Sequence, residues 1–399
     1  MSAADMSPAD TSAVMPYTES DERRDLRAAV AALAGDFGRD WFLDRARAGE
    51  STRDLWQAAG KHGYLGVAVS EEYGGGGGGI GDLAAVGEEL ATAGCPLLMM
   101  VVSPAICATV IGRFGTAEQR SDWLPRFAEG TVTMAFSITE PDAGSNAHRI
   151  TTTARKDGDD WILKGQKTFI SGVDHADAVL VVARTTDART GKLKPCLFIV
   201  PTDAEGFTRQ PIPMDIVSPE RQFTLWFDDV RLPAAALVGD EDAGLEQLFA
   251  GLNPERIMAA AFATGIGRFA LARATAYARD RQVFDAPIGS HQAVAHPLAA
   301  AHIELELARL MTQKAAAICD SGDDEAAGEA ANMAKYAAGE ACCHAVDAAV
   351  QTHGGNGLAS EYGLGGLLAV ARTTRIAPVS REMILNFVAQ HTLRLPRSH

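Results

Sequence analysis

Two short segments of this chain run from strand-forming residues into small polar ones. Residues 136–146 read Phe-Ser-Ile-Thr-Glu-Pro-Asp-Ala-Gly-Ser-Asn, and residues 167–171 read Lys-Thr-Phe-Ile-Ser. Such junctions leave backbone N–H groups and short hydroxyls facing outwards, as the binding of a flat, hydrogen-bonding ring system requires. The simpler interpretation is a polar β-turn at residues 141–144 that joins two strands. The two segments together favour a cofactor site.

The composition limits the classes of function. A chain of 399 residues predicts two or three packed units, and 47% hydrophobic with 22% charged residues is typical of a soluble globular protein. The net charge of −15 argues against nucleic acid and anionic membranes as partners. The six cysteines show neither metal-ligand spacing nor a disulfide framework, so no metal site is expected. No targeting segment or long apolar span is visible, which predicts a cytoplasmic protein.

The apolar spacing changes along the chain and predicts an α+β architecture. Helical spacing dominates the first part, short alternating strands separated by Asp157-Gly158 and Thr190-Gly191 form the middle, and alanine-rich helical stretches form the end. The middle part is predicted as an antiparallel β domain and the last as a four-helix bundle. The predicted parts are a disordered tail (1–18), an N-terminal helical domain (19–130), a middle β domain (131–238) and a C-terminal helical bundle (239–399).

A run of six glycines, residues 74–79, interrupts the N-terminal helical pattern. It lacks the Lys-Ser/Thr of a P-loop and no clear strand–helix pair surrounds it. We therefore interpret the run as a flexible loop rather than a phosphate-binding loop.

Three further stretches complete a family pattern. They are residues 63–75 (GYLGVAVSEEYGG), 281–292 (RQVFDAPIGSHQ) and 351–357 (QTHGGNG). Together with residues 136–146 and 167–171, they make the chain resemble the acyl-CoA dehydrogenase family of flavoproteins over residues 20–397. The resemblance implies the predicted order of domains, FAD as cofactor, an acyl-CoA or acyl carrier protein thioester as substrate, and an electron-transfer flavoprotein as acceptor. It also implies a homo-oligomer, expected to be a tetramer.

The resemblance assigns residues of this chain to the cofactor. Donors beside the flavin N1/C2=O edge favour its reduction, and Thr139 with the Ile138 N–H are the candidates. Ser145 would bond the pyrophosphate or the pantetheine arm of the substrate. Phe169 stands where the family often has Trp, and an aromatic ring there still stacks on the flavin. The full set is Phe136, Ile138, Thr139, Ser145, Phe169, Ile170, Ser171, Arg281, Phe284, Gln292, Gln351, Gly354, Gly355, Ser380 and Glu382.

The residues after Gly239 resemble a site for the adenosine diphosphate half of FAD that is shared between subunits. Arg281 suits a pyrophosphate because of its planar fork of donors, although an arginine at a helix C-terminus can merely satisfy the helix dipole. Gln351 and the following glycines would let the backbone approach phosphate, or they form a simple turn. Asp285 departs from the pattern, since Gly usually follows the Phe.

The catalytic base is where this chain departs furthest from the commoner family pattern. Many members carry a glutamate in a Tyr-Glu-Gly-Thr sequence near the C-terminus, where this chain has Pro378. A minority, including isovaleryl-CoA dehydrogenase, carry the base on an earlier helix, where this chain has Glu255 followed by Arg256. Glu255 is the predicted base, with Arg256 predicted to bind substrate. The alternatives are that Asn253 caps a helix and Glu255 only favours its dipole, or that Glu382 is the base.

The resemblance therefore predicts α,β-dehydrogenation of an acyl thioester. One rival keeps the fold and changes the chemistry, because flavin monooxygenases and nitroalkane-type oxidases share the scaffold and also lack the C-terminal glutamate. Glu255 argues against this rival. The other rival is a catalytically silent relative that serves as a binding subunit. Acyl chain length cannot be inferred, since single methylenes shift preference only modestly.

Overall fold

The computed structural model describes residues 19–186, 191, 193–241 and 244–397 of the chain. The predicted disordered tail, residues 1–18, lies outside the described residues. Helices come first, then a β-sheet, then longer helices, and the predicted α+β architecture is confirmed.

The N-terminal helices begin and end at local capping signals. Ser20 accepts a hydrogen bond from the Arg23 N–H at the start of the first helix, and Thr116 forms a capping box with Gln119. Gly130, at a φ of 70°, ends the last helix. The helices are α1 Asp21–Gly35, α2 Gly38–Ala48, α3 Arg53–Lys61, α4 Ile80–Thr92, α5 Met99–Val102, α6 Thr109–Phe114 and α7 Ala117–Glu129, with a π-helical segment Ser103–Ala108 between α5 and α6.

The glycine run is a loop, as predicted, but it is fixed by backbone hydrogen bonds. The N–H groups of Gly76, Gly77 and Gly78 donate to carbonyls of residues 66–69 at 2.8–2.9 Å. A Cβ at Gly75 would lie 2.1 Å from the Val69 carbonyl oxygen. Glycine is therefore required for close backbone packing, and the prediction of a flexible loop was wrong.

The middle part forms one eight-stranded sheet. Its order is β6-β7-β3-β2-β4-β5-β8, and β1 pairs with β4 off this path. Most pairs are antiparallel, but β1–β4 and β2–β4 are parallel, so the prediction of an antiparallel domain was right only in part. The strands are β1 Met134–Ser137, β2 Thr153–Asp157, β3 Asp160–Ser171, β4 Ala178–Thr186, β5 Leu193–Pro201, β6 Phe207–Ile212, β7 Gln222–Leu232 and β8 Leu237–Val238.

The C-terminal helices are long and pack closely because their contact faces are rich in alanine and glycine. A Cβ at Gly267 would lie 2.5 Å from a Leu305 methyl group. One short hairpin, β9 Gln282–Val283 with β10 Ala286–Pro287, follows the first helix. The helices are α8 Gly244–Asp280, α9 Gln292–Asp320, α10 Asp324–His353, α11 Leu367–Ile376 and α12 Arg381–Phe387.

The N-terminal helices and the C-terminal bundle share one hydrophobic core. Leu83, Val86 and Leu90 of α4 are fully buried in the same cluster as Ile257 and Ile266 of α8. Part of α8, residues 250–280, is long and apolar enough to cross a membrane, but 72% of its apolar window is buried inside the protein. Its composition is therefore explained by its central place in the core.

A network of charges joins α4 to the bundle beside this core. Arginines from α1, α8 and α9 (Arg27, Arg268 and Arg309) lie 2.8–3.1 Å from the buried carboxylate of Glu88. Arg27 and Arg268 also pair with Glu89. Charged groups buried in this way need partners on every side, so the network fixes how the helices meet.

Candidate active site

A cleft of about 2580 Å³ lies between the sheet and the helices. This volume exceeds the roughly 300–1,000 Å³ of a pocket for a single drug-sized ligand, so it can accommodate a cofactor together with a substrate. The ends of β1 and β3 line it on one side, and α5, α8, α10 and the α11–α12 connection line it on the other. The predicted residues that line it are Phe136, Ile138, Thr139, Ser145, Phe169, Ile170, Ser171, Glu255, Arg256 and Ser380.

The end of β1 is held by a buried ion pair. The Lys167 ammonium is fully buried and lies 3.0 Å from a carboxylate oxygen of Glu140. It also donates to the Ile138 carbonyl at 3.0 Å. Glu140 in turn accepts from the backbone N–H groups of Thr151 and Thr152 at 2.6 and 2.9 Å. The ion pair and its hydrogen bonds therefore fix the backbone that carries Ile138 and Thr139 into the cleft.

Both members of this pair are ionised at neutral pH. Burial alone would raise the pKa of Glu140, but Lys167 and the threonine donors lower it to about 2. Burial lowers the pKa of Lys167 to about 8 against the attraction of Glu140. Each charge has its partner at hydrogen-bond distance, as a buried pair requires.

The second segment presents an aromatic ring to the cleft. Phe169 has a φ of 56°, a conformation that is uncommon for a bulky residue. It sits where the pairing of β3 with β7 shifts register between Lys167 and Ile170, and its side chain is 57% exposed. The Thr168 N–H donates to the Thr139 carbonyl at 2.9 Å, which joins the two predicted segments directly. A flat ring system in the cleft would cover the exposed Phe169 face.

Glu255 lies in the middle of α8, and the structure rules out the capping alternative. The helix begins at Gly244 and continues through Pro254, so Asn253 is not its N-cap. The Asn253 side chain instead donates to the Asp324 carbonyl and accepts from the Arg256 guanidinium, both at 3.0 Å. Asn253 therefore orients Arg256 and ties α8 to the start of α10.

The Glu255 carboxylate is well placed to accept a proton near neutral pH. Its side chain lines the cleft and is only partly exposed. Burial raises its pKa to about 7, although the positive charges of Arg256 and Lys335 oppose the rise. A general base is most effective when its pKa lies near the working pH.

Pro378 and Ser380 line the same cleft from the connection between α11 and α12. Ser380 caps α12 by accepting from the Met383 N–H at 3.3 Å. Glu382 lies in the first turn of α12, exposed and 3.7 Å from Arg381. It does not line the cleft, so the structure gives no support to Glu382 as a rival base.

Six predicted cofactor residues lie away from this cleft, on the surface beyond the end of α8. The aromatic rings of Tyr277 and His353 stack at 4.2 Å, and the Asn356 amide donates to the Tyr277 hydroxyl at 3.1 Å. These contacts join the C-terminal end of α8, which precedes the β9–β10 hairpin, to the turn that follows α10. The exposed predicted residues in this region are Arg281, Phe284, Gln292, Gln351, Gly354 and Gly355.

The departure at Asp285 is accommodated by the backbone of the hairpin. Phe284 and Asp285 have φ values of 54° and 60°, in the left-handed region that glycine normally occupies. Aspartate tolerates this region better than most residues do. The hairpin therefore keeps its turn, and the Phe284 side chain is 90% exposed.

Several residues that shape the cleft were not identified from the sequence. Gln222 exchanges hydrogen bonds with Ser171 at 2.9 and 3.1 Å. Glu220 accepts from the Leu98 N–H, at the start of α5, at 3.1 Å, and burial raises its pKa to about 7. Lys335 is a buried lysine on α10. The only local signal for Lys335 was a charged residue within an alanine-rich helix.

The fold and the cleft define a three-domain flavoprotein dehydrogenase, and comparison with known proteins specifies the family. Sequence profiles of the acyl-CoA dehydrogenase N-terminal, middle and C-terminal domains match residues 20–131, 135–230 and 242–393. The chain belongs to the acyl-CoA dehydrogenase family, and the prediction that it is an acyl-CoA dehydrogenase is confirmed.

Individual relatives agree with this assignment. Acyl-CoA dehydrogenase FadE12 of Mycobacterium tuberculosis is 63% identical over 383 residues, covering 96% of this chain and 99% of that protein. The structure of butyryl-CoA dehydrogenase from Megasphaera elsdenii superposes with a TM-score of 0.89 at 29% identity, covering 95% and 100% of the two chains. The FAD complex of PigA superposes with a TM-score of 0.89 at 26% identity, covering 96% and 100%. FAD as the cofactor of this family member is confirmed.

Proposed function

We propose that this protein oxidises an acyl thioester to the trans-2-enoyl thioester, with Glu255 as the general base. The observation that supports the proposal is a partly exposed carboxylate on α8 that lines the cleft and has its pKa raised to about 7 by burial. Pro378, at the position of the commoner base, lines the same cleft and cannot accept a proton. Glu220 also lines the cleft with a pKa raised to about 7, but its carboxylate already accepts from the Leu98 N–H and the Ser218 hydroxyl. Glu255 has an environment that suits the task of a general base.

The reaction divides two hydrogens between the protein and the cofactor. Glu255 takes the α-hydrogen as a proton, and the α-carbon electron pair forms the new double bond as the β-hydrogen leaves with its electrons. Bound FAD supplies the acceptor for that hydride. Arg256, oriented by Asn253, places a positive charge beside the site where negative charge develops.

The residues of the cleft fit a flavin. Thr139, the Ile138 backbone and Ser145 would hold its polar edge and pyrophosphate, and Phe169 would cover one face. Ser171, oriented by Gln222, would add a hydroxyl. We propose these roles together with flavin contacts from Phe136, Ile170 and Ser380, which line the same cleft. Glu382 does not line the cleft, so we propose that it affects the flavin only through the backbone that carries Ser380.

We propose that a neighbouring subunit completes the cofactor site. Arg281, Gln292 and Gln351 are exposed on their own subunit and do not line its cleft. The same region carries exposed apolar side chains, which are typical of an interface. One face of α9 adds a stripe at helical spacing. These apolar residues are Phe284, Leu358, Ile303, Leu307 and Leu310. A homotetramer is the assembly that we propose.

The carrier of the acyl group would lie against the sheet side of the cleft. Arg184, Lys194 and His148 line the cleft on that side, whereas Asp324, Glu325 and Glu329 line it from α10. A polyanion such as coenzyme A is attracted by the basic residues on the sheet side and repelled by the acidic residues of α10. We propose coenzyme A as the carrier, an electron-transfer flavoprotein as the acceptor and the cytoplasm as the location.

The test is anaerobic reduction of the bound flavin by acyl-CoAs of different length, in wild type and in Glu255→Gln. The variant is isosteric but cannot take a proton, so it should retain FAD and bind acyl-CoA normally while flavin reduction slows by several orders of magnitude. Glu382→Gln is the matched control and should stay within about tenfold of wild type.

Four outcomes would contradict the proposal. Near wild-type reduction in Glu255→Gln would place the base elsewhere. A loss confined to Glu382→Gln would move the assignment to that residue. Rapid reaction of the reduced wild-type enzyme with oxygen would favour a monooxygenase or oxidase, and purification without flavin would favour a silent binding subunit.

A further inference from the structure

Lys335 is a buried charge that the proposed reaction does not yet use. It lies on α10, is 2% exposed, and is surrounded along the helix by alanines. Its ammonium donates to the backbone carbonyl of Val379. Val379 follows Pro378 and lines the cleft. A lysine is costly to bury, and this one connects the bundle to the wall of the active site.

Two neighbouring residues of α10 hold the same wall, which comprises residues 374–381. A Cβ at Gly339 would lie 2.8 Å from the Thr374 carbonyl oxygen, so α10 and α11 approach closely at the start of the wall. Glu340 pairs with Arg375 at 2.8 Å and lies 3.6 Å from Arg381. These two arginines come before and after Pro378 in the sequence. Lys335 is the contact in the middle of the wall, between these two arginines.

Titratable groups on α8, α10 and α12 act electrostatically on Lys335. On α10 itself they are Glu340 and the Cys343 thiol, on α12 Glu382, and on α8 Arg256. Glu255 of α8 lies within electrostatic range of the same ammonium. The nearest acceptor, the Val379 carbonyl, is neutral, so a neutral donor could satisfy it equally well. The positive charge therefore needs a different explanation from the hydrogen bond.

We propose that Lys335 is a positioning residue for the proton transfer, holding the Pro378–Val379 wall in place and setting a positive charge behind the Glu255 carboxylate. The inference rests on the proposed function of Glu255. The charge stabilises the ionised carboxylate before the reaction, so that Glu255 is available as a base although it lies in an apolar cleft. The hydrogen bond keeps the wall at a fixed distance from the substrate.

Two variants separate the charge from the hydrogen bond. Lys335→Gln removes the charge and keeps a donor for the Val379 carbonyl, and Lys335→Met removes both. Arg375→Gln removes the ion pair that holds the start of the wall and leaves the Lys335 charge in place. Retention of FAD and the melting temperature report whether each variant is folded.

The decisive measurement is a pH titration of the protonated Glu255 carboxyl by infrared spectroscopy, identified as the band missing in Glu255→Gln. This measurement needs no substrate. We expect the midpoint to rise by about one pH unit in Lys335→Gln and Lys335→Met, because loss of a nearby opposite charge favours the neutral acid, and to stay unchanged in Arg375→Gln. The acid limb of flavin reduction by an acyl-CoA should move upwards by the same amount.

An unchanged Glu255 midpoint in folded Lys335→Gln would overturn the electrostatic role and leave a structural clamp only. An equal shift in Arg375→Gln would also overturn it, since the wall rather than the charge would then set the midpoint. Failure of the proposed dehydrogenation has a different signature: wild-type flavin is not reduced by acyl-CoA, whereas the infrared midpoints still differ between the variants.

Discussion

Replacing Lys167 by methionine removes the charge that faces Glu140 and keeps most of the volume of the side chain. The pair is almost completely buried, with the lysine 0% and the glutamate 4% exposed. Removing one partner of such a pair costs about 3–5 kcal/mol, because the remaining charge stays buried without compensation. The three bonds that Glu140 accepts from Thr151 and Thr152 remain, which favours the lower end of that range.

The pKa of Glu140 gives the pH dependence of this stability. It is lowered from 4.5 to about 2, so folding favours the ionised carboxylate. A carboxyl whose pKa is lowered on folding contributes stability above its unfolded pKa and loses it as the pH falls. The contribution is therefore complete above about pH 5 and disappears between about pH 4.5 and pH 2.

The assay is thermal unfolding of the FAD-loaded protein at several pH values, with flavin fluorescence as a second signal. An unfolding entropy of about 2.1 cal/mol/K per residue gives about 0.8 kcal/mol/K for the 399 residues of the chain. A loss of about 3 kcal/mol therefore lowers the melting temperature by about 4 °C. The flavin should be released early, because Lys167 also holds the Ile138 carbonyl. The difference from wild type should shrink as the pH falls from about 4.5 towards 2.

Lys164→Met is the matched control on the same strand. Lys164 is 64% exposed and lies 3.7 Å from Asp229, and exposed pairs contribute little to stability. A melting temperature of Lys167→Met within about 2 °C of this control would refute the reasoning. So would a double variant, Lys167→Met with Glu140→Gln, that is no more stable than Lys167→Met alone, because removing the uncompensated charge should restore part of the loss.

Two further predictions concern the assembly. Arg281→Ala should weaken FAD retention and the oligomer together, because the residue is proposed to bind the cofactor of a neighbouring subunit. Sedimentation combined with flavin absorbance measures both properties. A monomer that keeps all its FAD would contradict the proposed shared site. Leu307→Glu places a charge in the exposed apolar stripe of α9 and should shift the protein towards smaller species in light scattering. Lys61→Glu, exposed on α3, should not, and equal masses for both variants would remove α9 from the interface.

The order of domains was predictable because the hydrophobic spacing is a local property. Leu83 and Leu90 repeat at helical spacing and are buried in α4, and Asp157-Gly158 joins β2 to β3 as a hairpin. The parallel pairing of β1 with β4 was not predictable, since it joins residues 134–137 to residues 178–181. Turn residues specify hairpins, whereas the pairing of distant strands depends on the whole sheet.

The candidate site likewise contains residues that could be predicted from the sequence and residues that could not. Ser145, Phe169 and Glu255 were found from motifs and line one cleft. The Asn253-Pro254 pair is a typical start of a helix, yet α8 continues through it, and the Asn253 side chain bonds to the Asp324 carbonyl at the start of α10. The importance of Lys335 depends on its contact with Val379, which lies 44 residues further along the chain. Such tertiary contacts override local preferences and leave no pattern in the sequence.

The core that α4 shares with α8 sets an order of events on the ribosome. The β-sheet is inserted between the two helices, and about 150 residues separate the end of α4 from the start of α8. At roughly 5–20 residues per second, α8 is synthesised roughly 8–30 seconds after α4. During this interval the buried face of α4, including Leu83, Val86 and Leu90, can pack against α1, which precedes it, but not against α8. Part of the apolar surface of the nascent N-terminal helices therefore stays uncovered until α8 emerges.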